Sequence, residues 1–96
     1  MASLPTLEEV KRRLTAEGYV NVYDWYDSPE FEYHEHSHQS ETIIAVVEGS
    51  MDVGLPSGHA LLGPGSWQII PADIEHTTLV GHDGCQYVIG EKPGVE

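Results

Sequence analysis

At 96 residues the chain has room for one domain and no second. Sixteen acidic residues against four basic ones give a formal net charge of −12, which repels phosphate backbones and anionic lipid and so argues against nucleic acid and membrane surfaces as partners. The single cysteine, Cys85, excludes an internal disulfide, and no stretch approaches the roughly 18 apolar residues of a membrane span, so a soluble, cytoplasmic setting is expected.

The opening segment, MASLPTLEEV, has neither a basic n-region nor an apolar run, so no secretory leader is expected. The first predicted element is a helix over Leu7–Glu17. Thr6 and Glu9 have capping-box spacing, Gly18 stands where a helix stops, and Leu7, Val10 and Leu14 form one apolar stripe. A helix this short is marginal alone and must rest on something larger. Lys11, Arg12 and Arg13 read as its wet face, with an acidic surface of a partner subunit as the alternative.

After Gly18 the period becomes extended. Tyr19–Tyr26 is rich in valine and aromatic residues, Ser28-Pro29 breaks it, and Phe31–His38 reads as a second strand or edge segment. Further strands are predicted at Thr42–Val47, Met51–Leu55, His59–Leu62, Trp67–Ile70, His76–Val80 and Cys85–Ile89, separated by turns at Gly49, Pro56-Ser57-Gly58, Gly63-Pro64-Gly65, Pro71 and Gly81–Gly84. Short strands with turns at this spacing predict an all-β sandwich or barrel over residues 19–90 behind an N-terminal helical segment 1–18. A thin core, open strand edges and a marginal helix favour a homodimer.

Six histidines are many for this length, and His34, His36 and His38 alternate. In a strand alternate side chains share a face, so the three can point together. Imidazole is the commonest metal ligand near neutral pH, but a His-x-His pair needs further ligands from elsewhere. His76, which follows the turn Pro71-Ala72-Asp73 into a new strand, is placed to supply one. Decoration of a solvated edge strand is the competing reading.

Two motifs resemble those of the cupins. The second cupin motif is nearly complete: Gly65, five residues, Pro71-Ala72-Asp73, two residues, His76, with Asp73 where the motif has Gly and Val80 where it ends in Asn. The first is looser. Counting back from Gly49 makes His36 and His38 the pair and puts Thr42 at the motif's Glu; counting from Glu41 makes His34 and His36 the pair. The resemblance covers about Phe31 to Val80. It implies a double-stranded β-helix, a jelly-roll barrel with a metal inside one mouth. It also implies one divalent transition metal (Fe, Mn, Zn or Ni) held by His36, His38 and His76, with Glu41 or His34 completing the set.

An open coordination position would make such a metal a Lewis acid or an oxygen-binding centre. Tyr87 and Trp67 are either cavity lining or core packing, and Cys85 reads as buried. His59 and His82 fall at turns and read as surface residues, Ser66 has no histidine partner at a recognisable spacing, and Gly63-Pro64-Gly65 is not a phosphate loop. Fold alone does not give function. The expectation is a small metalloenzyme, of oxygenase or isomerase type, acting on a small metabolite. The alternative is a non-catalytic module that binds a metal or a small ligand.

Overall fold

The computed structural model describes residues 4–92. Its elements are α1 (Leu7–Ala16), β1 (Val20–Asp27), β2 (Glu32–His36), β3 (Glu41–Leu55), β4 (Gly58–Leu62), β5 (Trp67–Ile70) and β6 (His76–Lys92). All strand pairing is antiparallel.

Two long strands organise the rest. β3 and β6 pair along almost their whole length, and the register slips between Val46 and Glu48 and again between Gly49 and Met51. The first half of β3 lies between β5 and the second half of β6, which in turn pairs with β1. The second half of β3 lies between β4 and the first half of β6, which pairs with β2. The result is two four-stranded sheets sharing two bent strands, the double-stranded β-helix of a jelly roll.

Sequence reasoning expected turns at Gly49 and across Gly81–Gly84. The structure instead carries both strands through these points as bends. Gly49 (φ +80°) and Gly84 (φ +78°) lie side by side, and a Cβ on Gly49 would stand 2.0 Å from the Gly84 carbonyl oxygen. Only glycine permits that backbone and that approach, so a bulge turns each strand from one sheet into the other.

Apolar side chains fall on both faces of the first sheet. Ile44, Val46, Met51, Val53, Leu62, Ile70, Val80, Cys85 and Tyr87 fill the space between the sheets. On the outer face Ile43, Ala45, Val88 and Tyr19 receive Val10 and Leu14 of α1. The capping box is present: Glu9 N–H donates to Thr6 Oγ1 at 3.2 Å and Thr6 N–H to Glu9 Oε1 at 3.1 Å. Glu17, predicted as the last helical residue, is the C-cap. The basic cluster is not all wet, because Lys11 Nζ reaches Asp24 Oδ1 on β1 at 2.7 Å and ties the helix down.

Trp67 neither lines the cavity nor packs in the core. It is 60% exposed, because alternation along β5 turns Ile70 inward and puts Trp67 on the outer face beside α1.

The shared bend makes a testable demand. Gly49→Ala should lower stability by at least about 2 kcal/mol, from the left-handed backbone and the clash together. Gly58→Ala, also at positive φ but facing open space, should cost less. Urea unfolding of the two variants measures the difference, and equal losses would contradict the paired-bend account.

Candidate functional site

Three of the predicted histidines converge. One ring nitrogen from each of His36, His38 and His76 lies within 4.8 Å of the other two, and the ring centroids of His36 and His76 are 4.2 Å apart. Strand pairing explains this, since His36 at the end of β2 is in register with His76 at the start of β6. His38 lies just beyond β2, so strand alternation does not place it. A backbone bond does: Asp73 N–H donates to the His38 carbonyl at 2.7 Å, fastening the loop after β2 to the turn before His76. Asp73 has φ +61°, so it holds the left-handed turn that the motif's Gly would take, as Asp tolerates.

The remaining expected residues lie elsewhere. His34 is exposed and outside the cluster, because the register slips between Tyr33 and His36. Glu41 is not in the cluster either: its carboxylate accepts the Tyr19 hydroxyl at 3.2 Å. It alternates with Thr42 along β3, on the side of Ile43 and Ala45 that faces the helix. Thr42 is buried and donates to the Ser40 carbonyl at 3.2 Å. His59 and His82 are exposed, and His59 pairs with Asp52 at 2.9 Å.

Local bonds set the imidazole tautomers. His36 Nδ1 is 2.7 Å from the His34 carbonyl oxygen and His76 Nδ1 is 3.1 Å from that of Ile74. A carbonyl only accepts, so each Nδ1 carries the hydrogen, and in the neutral ring Nε2 keeps its lone pair. Burial, and then the neighbouring His36, lowers the His38 pKa below its ordinary 6.5. His76, only 2% exposed, is also lowered, chiefly by burial. Three imidazoles that each bring one ring nitrogen within 4.8 Å of the others suit a borderline divalent metal, so the donor set fits such an ion.

The cluster opens on a cavity of about 300 Å³ whose wall is aromatic: Tyr23, Trp25, Tyr33 and Tyr87, with Ile44, Met51, Thr78 and Ile89. Behind the wall lies a group that sequence reasoning missed. Asp27 is 5% exposed, and its carboxylate accepts three hydrogen bonds: Trp25 Nε1–H at 3.0 Å, Tyr33 O–H at 2.9 Å and Tyr87 O–H at 2.8 Å. Three donors satisfy a buried carboxylate that would otherwise be costly. Burial and then Asp27 raise the pKa of both phenols, which stay protonated donors. Cys85 is buried as expected, and burial, with Asp27 second, pushes its thiol up to about 12, far from a reactive thiolate. The alternation of Tyr23, Trp25 and Asp27 was the available signal for this wall, but Asp27 stands next to Ser28-Pro29 and reads as part of a turn.

No family profile and no curated protein matches the sequence. Solved structures match the fold. A cupin-2 domain protein from Shewanella frigidimarina superposes with a TM-score of 0.60 at 22% identity over 75% of this chain and 67% of its own. The polyketide cyclase RemF from Streptomyces resistomycificus gives 0.63 at 28% identity, over 75% of this chain and 54% of its own. The DMSP lyase DddQ from Ruegeria pomeroyi gives 0.70 at 21% identity, over 78% of this chain and 39% of its own. The chain thus spans about half or less of the length of these two enzymes. Two sheets sharing bent strands, with three histidines that could hold a metal ion gathered at one end, make a jelly-roll β-barrel, and the chain has the cupin fold. No helix among the described residues is long and apolar enough to cross a membrane.

The lowered pKa values fix the direction of a pH effect. His38 and His76 hold protons less readily folded than unfolded. The metal-free protein is therefore expected to keep their contribution above pH 6.5 and to lose it as pH falls below that value through the lowered folded-state pKa values. His76→Asn should flatten this part of the profile. Chemical unfolding in EDTA across that range checks it, and an unchanged slope in the variant would refute it.

Proposed function

We propose that the chain holds one divalent transition metal ion on His36, His38 and His76 and acts, as a small metalloenzyme, on a small molecule bound in the adjoining cavity. The observation that carries this reading is the convergence of three imidazoles, two with tautomers set by backbone carbonyls so that Nε2 is free. A bound ion would supply Lewis acidity and coordination positions open to solvent or ligand. The chain supplies the rest. His36, His38 and His76 present ring nitrogens to one side of the cavity, and Tyr23, Trp25, Tyr33 and Tyr87 form an aromatic wall on another. Asp27 fixes the Tyr33 and Tyr87 hydroxyls. Glu41 would join the ligands only by leaving Tyr19 and crossing the strand to its other face.

Catalysis is supported by the similarity to a polyketide cyclase and a DMSP lyase of the same fold. The second reading, a non-catalytic binding module, is favoured by one observation: among the described residues no Asp, Glu or Lys lines the cavity to serve as a separate acid or base.

Metal analysis of protein purified without a histidine tag should find about one ion per chain, with affinity falling as pH drops below about 6.5 and imidazoles protonate. His76→Ala should remove most of it, and the exposed His82→Ala should leave it unchanged. Full metal content in the His76 variant would place the ion elsewhere. Nickel in the product would not identify the native ion, because Ni²⁺ outcompetes Fe²⁺ and Mn²⁺ at such sites.

The reading includes a homodimer. Leu61, Trp67 and Ile69 are large apolar side chains left exposed on β4 and β5, as an unpaired surface would be. Sedimentation should give about twice the 10.6 kDa of one chain, and a monomer throughout the micromolar range would refute it.

A further inference from the structure

We propose that the cavity beside the histidines binds a small organic cation, of the quaternary ammonium or similar onium class, against its aromatic wall. The inference rests on the reading of this cavity as a ligand site, but it does not need the metal ion.

Three observations point to a cation. The first is the wall itself. Trp25 and Tyr23 are 53% and 51% exposed, and both line the cavity together with Tyr33 and Tyr87. Large aromatic faces left open inside a concave space are suited to a ligand that covers them, and ring faces carry negative potential that attracts cations.

The second is Asp27. Its carboxylate draws on Trp25 N–H and on the Tyr33 and Tyr87 O–H groups. A phenol or indole that donates to a carboxylate shifts electron density onto its ring, which deepens the negative potential of the face. Asp27 is itself a buried carboxylate behind the wall, and among the described residues no Lys or Arg lines the cavity to offset it.

The third is the field of the whole chain. A net charge of −12 raises the local concentration of cations and lowers that of anions. An anionic ligand would find no cationic side chain on the wall. A neutral apolar ligand would fit the area but leave Asp27 without consequence, and that difference separates the two cases.

The test uses the full chain, as purified and after EDTA treatment. The probes are choline and its neutral isostere 3,3-dimethylbutan-1-ol, followed through the line broadening of their own methyl NMR signals, which every variant can report. Choline should bind saturably and at least about tenfold more tightly than the alcohol, in both preparations. Trp25→Leu should weaken choline by about tenfold. Tyr23→Ala, at a side chain with no hydrogen bond to lose, should weaken it in the same direction, so the test survives if the Trp25 variant folds poorly.

Equal binding of the two probes would overturn the proposal, as would no saturation by choline or full affinity in both variants. Binding that vanishes with EDTA would overturn it too, since the wall and not the ion is held to carry it. Metal content is measured separately, so a chain that binds choline but no metal would keep this inference and lose the metal-site reading.

Discussion

The structure depends on β3 and β6 bending together. Each strand serves both sheets, and each changes sheet at a glycine of positive φ packed against the other. If the bends were not adjacent, the two ladders would diverge after the first sheet and leave their backbone groups unpaired. Because they coincide, one antiparallel pairing continues from Glu41↔Lys92 at one end to Gly54↔Thr77 at the other. Every other strand is an addition to this pair: β1 and β5 flank one half, and β2 and β4 flank the other. The cavity is the space between the halves, and the histidines sit where β2 meets the start of β6.

The same geometry settles which histidines meet. His36 and His76 face each other because β2 pairs with the first half of β6. Both donate Nδ1–H to the carbonyl two residues earlier, His34 for one and Ile74 for the other. In a regular strand that carbonyl points away. The bond forms because one residue follows a register slip and the other a turn. The irregularities at the sheet edge therefore orient the rings. His38 comes in on a loop, held by the Asp73 N–H bond to its carbonyl, so the turn at Asp73 positions two of the three rings at once.

Much of the fold and part of the site are legible in the residues. The helix announces itself through Thr6, Glu9 and the stripe Leu7, Val10 and Leu14, all local signals. The strands are legible from β-branched runs between Gly and Pro. Their continuity is not, because Gly49 and Gly84 look the same in a turn as in a bulge. His36 is legible from its place in an extended segment and His76 from its position after the Pro71-Ala72-Asp73 turn, whereas His38 was singled out by alternation but is placed by the loop bond to Asp73. Asp27 was not legible: its donors come from Trp25, Tyr33 and Tyr87, two, six and sixty positions away, and only the finished barrel brings them together. Trp67 was misread because an aromatic in a strand usually packs inward, whereas β5 lies on an edge and exposes that face.

Thr42 bears on the chemistry the cavity can perform. At the position where the cupin motif carries Glu, β3 presents a buried hydroxyl turned to the Ser40 carbonyl, while Glu41 lies on the opposite face with Tyr19. On the proposed ligand set, the donors are then three neutral imidazoles with no carboxylate. An ion held so would keep its full positive charge, and it would acidify or polarise whatever occupied its open positions more strongly than one neutralised in part by Glu. Among the described residues lining the cavity no charged side chain would balance it; the carboxylate that acts on His38 is that of Glu91, and Asp27 lies behind Trp25, Tyr33 and Tyr87. The cavity so arranged has two electrostatic poles, positive at the histidines when an ion is bound and negative at the aromatic wall. A ligand with an oxygen donor at one end and a cationic group at the other would satisfy both poles without any charged side chain having to move.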